Sequence, residues 1–159
     1  MMGKIGRGDK VDNILLDNLE LLTEAYSQTD RTPASEEDIL AFEEKYDCRL
    51  PSSYRWLLLH FGSCHFLDPW IDSIRDLDWA YPSFVENYKE YEREYELAPR
   101  RLFPVGGMGD GSTVVEDLET GQLLILLHDC AGDDPFEELA GSFDELILEQ
   151  INMVNHFEE

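Results

Sequence analysis

Apolar residues recur at three- and four-residue intervals in Val11, Ile14, Leu15, Leu19, Leu22 and Ala25, the spacing of one buried helix face. They follow a Gly-containing stretch, residues 1–10, that reads as a flexible leader ahead of one domain over residues 11–159. Thr32 and Pro33 break the pattern, and Ser35 with Asp38 then forms a capping-box start for a second helix whose Ile39, Phe42 and Tyr46 point inward. A third helix is predicted from Pro51, a residue suited to a first helical position. Its apolar stripe is Tyr54, Leu57, Leu58 and Phe61; Gly62 ends it, and Trp56 and Leu59 suggest burial on a second side.

The pattern then loosens. Residues 64–67 suit a short strand, Asp68-Pro69 a turn, and residues 70–79 show no clean period. Helical spacing returns with Tyr81, Phe84, Val85, Tyr88, Tyr91 and Tyr95, and Pro99 closes the segment. Strands are predicted at residues 102–105, 113–118 and 123–128, with a glycine-rich turn at 106–111 and a hairpin connection at Glu119-Thr120-Gly121. After an acidic loop at 129–135, Ser142 and Glu145 cap a last amphipathic helix carrying Phe143, Leu146, Ile147, Ile151 and Val154. Helices first, strands clustered later and a closing helix predict an α+β fold, an antiparallel sheet packed with amino-terminal helices and a carboxy-terminal helix.

Charge adds a second layer. Twelve Lys and Arg against thirty-five Asp and Glu give a formal charge of −23, and no Lys or Arg follows Arg101, whereas fourteen acids do. Nucleic acid is excluded as a partner, because phosphate binding depends on basic residues displacing counterions. A basic protein fits the field, and solubility alone is the competing explanation. Cys48, Cys64 and Cys130 have no CxxC spacing, which points to a reduced, cytoplasmic setting without disulfide framework or structural zinc. No apolar run suggests export or a membrane span.

Catalytic chemistry finds little support. The run Gly106-Gly107-Met108-Gly109-Asp110-Gly111 is neither GxGxxG nor GxxxxGK, and a strand follows it where a phosphate loop needs a helix. His128, Asp129, Cys130, Asp133 and Asp134 lack EF-hand spacing and read as a solvated loop. No nucleophile elbow is present, and Cys64-His65 would point to opposite faces of a strand. The expectation is a non-enzyme with no cofactor and no metal. The acidic, aromatic stretch Asp68, Trp70, Asp72, Asp76, Asp78, Trp79 and Tyr81 is the better interaction candidate: aromatic rings anchor interfaces, and carboxylates around them select Lys and Arg. Trp70 and Trp79 equally suit packing inside a small domain.

The order of these pieces resembles the SUKH superfamily. Ser35-Glu36-Glu37-Asp38-Ile39 opening a helix is followed by Leu50-Pro51-Ser52-Ser53-Tyr54-Arg55-Trp56-Leu57-Leu58 and Gly62. Phe103-Pro104-Val105, then Gly109-Asp110-Gly111, then Asp117 with Thr120-Gly121 come next, and Ala140-Gly141-Ser142-Phe143 is similar to the family's A-x-S-F helix start. Ser63-Cys64-His65 departs from the Asn- or Gly-rich turn common in the family. The resemblance implies an α+β fold and a protein-binding role, either as an immunity protein against a toxin, often a nuclease, or as a Smi/Knr-type intracellular regulator or scaffold. No binding residue carries over by motif. From the residues themselves, the expected partner surface is Asp68, Trp70, Asp72, Asp76, Asp78, Asp110, Glu116, Asp129, Asp133 and Asp134.

Overall fold

The computed structural model describes residues 33–62, 69–129 and 132–158; the first predicted helix, the strand expected at 64–67, Asp68 and Cys130 lie outside them. Helix α1 (Glu36–Tyr46) begins as predicted. Ser35 Oγ accepts from Asp38 N at 3.1 Å while Ser35 N donates to Asp38 Oδ2 at 3.2 Å, so two amides that no helical carbonyl reaches are satisfied reciprocally. Helix α2 (Ser52–His60) starts one residue later than expected, because Pro51, at ψ 144°, is the extended residue ahead of the helix. Its carbonyl still accepts the first helical bond, from Arg55 N, and its missing N–H costs nothing there. Gly62, at φ 105°, takes the left-handed conformation that ends the helix. Tyr54, Leu57, Leu58 and Phe61 are buried, with Trp56 and Leu59 packed at the margin.

The largest departure concerns residues 70–79. Trp70–Ile71 form a short strand, β1, and helix α3 (Ile74–Glu94) starts well before Tyr81, capped by Ser73 Oγ accepting from Asp76 N at 3.2 Å. Pro82 conceals this in the sequence, since a proline inside a helix removes the N–H that would bond four residues back. That carbonyl belongs to Asp78, and Tyr46 of α1 supplies the replacement donor, its Oη lying 2.7 Å from Asp78 O. A side chain from another helix thus supports the continuous α3.

Four longer strands follow: β2 (Leu102–Gly107), β3 (Thr113–Asp117), β4 (Leu123–Leu126) and β5 (Phe136–Ala140). They join β1 in one sheet of order β1-β2-β3-β4-β5, antiparallel throughout. Gly106 and Gly107, expected in a turn, instead finish β2 and pair with Ile71 and Trp70. A Cβ on Gly106 would stand 1.9 Å from Trp70 O, so the β1 backbone approaches at a distance only glycine allows. The turn itself is closed by Gly111 N donating to Met108 O at 3.0 Å. β5 escaped the sequence reading because Phe-Glu-Glu-Leu-Ala is an edge strand with Glu137 and Glu138 exposed, leaving little apolar alternation to detect.

Residues opposite one another in register share a sheet face. Phe103, Glu116, Leu123 and Ala140 line up on one face, and Pro104, Val115, Leu124 and Glu138 on the other. On the first, Phe103, Leu123 and Ala140 join the core with Ile39, Tyr54, Leu57, Phe143 and Ile147, contributed by α1, α2 and α4 (Phe143–Glu158). Tyr54 Oη donates to Asp72 O at 2.7 Å and Gln150 Nε2 to Pro69 O at 2.8 Å, two buried bonds that fix the β1 segment to α2 and α4. The α+β architecture is the expected one, with α3 as the element that sets the second sheet face apart.

Candidate functional site

That second face is covered by α3 only in part. Tyr91 Oη reaches Leu127 O at 3.1 Å, and the Tyr88 ring lies 6.4 Å from that of Phe136 on β5. Between helix and sheet lies a groove of about 840 Å³. Its floor is Pro104, Gly107, Thr113 and Leu126; its wall is the α3 face bearing Ser83, Phe84, Asn87, Tyr88 and Tyr91; Trp70 and Asp72 stand at the β1 end. This size falls in the range of small-molecule and peptide-side-chain sites.

The aromatic lining has local causes. Trp70 lies against β2 because Gly107 has no side chain; a Cβ there would meet the indole at 2.7 Å. Trp70 Nε1 donates to Asp72 Oδ1 at 3.2 Å, which orients the buried carboxylate beside the ring. Phe84 and Tyr88, one helical turn apart, stack at 5.5 Å. Trp79 lines the groove and is 78% exposed, an unusual position for the largest apolar side chain. Tyr88 is 7% exposed and lines the same groove, and its Oη is the buried side-chain polar atom that takes no hydrogen bond among the described residues. Burial pushes its phenol upward, with the Glu92 carboxylate adding to the effect.

Of the acidic and aromatic interaction candidates singled out from the sequence, the structure brings Trp70, Asp72, Asp76 and Trp79 together on this groove and disperses the others it describes. Asp78 turns toward α1, where Lys45 Nζ donates to Oδ1 at 3.0 Å and holds its carboxyl below the usual range. Asp110 sits in the β2–β3 turn; the Ser112 amide donates to its Oδ1 at 2.9 Å and lowers its pKa. Glu116 is on the core-facing side of β3, where burial, and then the Asp144 charge, push it up to about 7. Asp129, Asp133 and Asp134 are exposed on the loop before β5, and Asp134 Oδ1 accepts from Phe136 N at 3.0 Å. Asp68 lies outside the described residues.

Tyr81, grouped with the interaction stretch from sequence, is instead packed among Phe42, Tyr46 and Phe103, and burial pushes its phenol up to about 12. Phe84, Tyr88 and Tyr91 were legible as a helical face but not as a groove wall, because periodicity marks a covered stripe without saying whether the cover is complete. Among the described residues no group of three or more His, Cys, Asp or Glu is placed to hold a metal ion, and no helix is long and apolar enough to cross a membrane. An acidic surface with an aromatic groove suits the binding of a protein. The sequence model of the SMI1 / KNR4 family (SUKH-1) matches residues 33–149, a span that takes in α1 to α3, the whole sheet and the start of α4, and the chain belongs to that family.

Proposed function

We propose that the protein is an immunity-type binder that neutralises a cognate toxin, a basic nuclease-type domain, by covering its active or substrate-binding face. The observation carrying this reading is an exposed tryptophan, Trp79, on a groove with Asp72 and Asp76, in a SUKH-1 chain of charge −23. Aromatic anchors supply the affinity of protein interfaces, and a field of one sign speeds the approach of an oppositely charged partner. Carboxylates on the chain would occupy positions where substrate phosphates otherwise sit, so inhibition is by occlusion, without catalysis. Asp110, Asp129, Asp133 and Asp134 belong to the outer part of this acidic surface.

The test is co-expression of the chain with each open reading frame adjacent to its gene. Rescue from the toxicity of one neighbour supports the reading, and toxicity unaffected by co-expression in every pairing refutes it. For the rescued pair, the association rate is expected to fall about tenfold or more between 0.05 M and 0.5 M salt, measured by stopped flow. A salt-independent rate would remove the charge-mimic element.

A further inference from the structure

We infer that the groove beside α3 is an arginine-accepting site: it takes an arginine side chain from a basic segment of the protein partner, stacked on the Trp79 and Trp70 rings with its guanidinium toward Asp72 and Asp76. This deepens the toxin-binding reading and rests on it for the identity of the partner. Aromatic faces attract cations, and the flat guanidinium both stacks on rings and presents a fork to carboxylates, which a compact ammonium does not. The lining supplies both complements. Among the described lining residues the charged side chains are Asp72, Asp76 and Arg75, with His128 also on the lining. The long-range field of the −23 chain favours a cationic occupant.

A second, independent feature points to an occupant. Tyr88, on the groove wall, carries a buried Oη with no hydrogen-bond partner among the described residues, and an inserted segment that shifts its ring would offer that hydroxyl a main-chain acceptor. The structure elsewhere satisfies such groups with care: Tyr54 Oη, Tyr46 Oη and Tyr91 Oη each reach a main-chain carbonyl. Among the described residues Tyr88 is the exception, and it belongs to the groove lining.

The experiment is a titration of the full chain with hexa-arginine, hexa-lysine and hexa-glutamate peptides, read by tryptophan emission and calorimetry. Hexa-arginine is expected to bind at least fivefold more tightly than hexa-lysine, and hexa-glutamate not to bind. Trp79→Ala is expected to weaken hexa-arginine at least tenfold, and Tyr88→Phe about threefold, while Glu44→Gln, which removes an exposed acid of α1 outside the groove, changes it less than twofold. Trp79 is mostly exposed, so its loss leaves the fold intact, and circular dichroism checks this. Equal affinity for arginine and lysine peptides, or for Trp79→Ala and the parent chain, would reduce the binding to general attraction by an acidic surface and overturn the proposal. In co-expression, a Trp79→Ala chain that still rescues fully overturns the groove while leaving toxin neutralisation standing. Groove-dependent hexa-arginine binding with no rescue by the parent chain keeps the arginine site and removes the toxin.

Discussion

At the residue scale, two neighbouring acids on β3 are held in opposite ways. Asp117 is 5% exposed, and its burial disfavours the charge, yet the Glu119 amide at 2.9 Å, the Arg100 Nε at 3.0 Å and the Thr120 amide together outweigh that cost and keep its pKa below the usual range. Glu116, on the other sheet face, has no such donors and is pushed up to about 7. The consequences for stability have opposite signs. Asp117 stabilises the fold above its unfolded pKa and loses that contribution as pH falls through its folded value; Glu116 destabilises progressively as pH rises from about 4.5 to 7, because the native state holds the proton more tightly than the unfolded chain. Glu116→Gln is therefore expected to raise stability above pH 7. The displacement is worth about 3 kcal/mol at face value, and solvent screening of a half-buried group brings it to about 1–2 kcal/mol. Urea denaturation across pH 4 to 8 checks it: a gain that does not shrink toward the acid end contradicts the assignment. Asp117→Asn, which breaks the Arg100 pair, is expected to cost about 1–3 kcal/mol at pH 7, with the loss fading in acid.

At the scale of elements, the coupling of Tyr46 to Pro82 is the most specific feature. Tyr46→Phe removes the donor to Asp78 O and is expected to cost about 1 kcal/mol. In a Pro82→Ala background the restored amide serves that carbonyl and the cost should fall by about half or more, a coupling that a double-mutant cycle measures directly. Additive effects would mean that the two residues act separately. Gly106→Ala should detach β1 from β2, with a loss of about 2 kcal/mol or more and a shift in Trp70 emission, since its Cβ would collide with backbone. These two sites also show where sequence reading stops. Caps and core stripes were legible, as at Ser35, Tyr54 and Phe143, because the amide, the hydroxyl and the apolar period all lie within one helical turn. The early start of α3 was not, because it depends on a hydroxyl thirty-two residues away in sequence that offsets a proline. β1 was hidden likewise: its pairing requires the bare Gly106 and Gly107, which in sequence look like a turn.

At the scale of the whole molecule, acidity and groove are separate assets. The run of fourteen acids after Arg101 was visible in the sequence, but the structure spreads those it describes over the β2–β3 turn, the loop before β5, β5 itself, α4 and, for Glu116, the core side of β3, whereas the groove draws its carboxylates, Asp72 and Asp76, from before Arg101. Raising salt should accordingly slow partner association while leaving dissociation nearly unchanged, and Trp79→Ala should do the reverse. Measuring both rates on one complex separates steering from anchoring.

The connection between β1 and β2 has a final consequence. These strands are neighbours in the sheet, yet the whole of α3 is inserted between them, so floor and wall of the groove come from one contiguous stretch, residues 70–113, apart from Leu126 and His128. For the proposed groove site, recognition would then sit in a single exchangeable cassette. The outward half of α3 and the tip of the β2–β3 turn can be rewritten while Ile71, Leu77, Phe103 and Val105 keep their places beneath, and transplanting that cassette between relatives should carry partner preference with it.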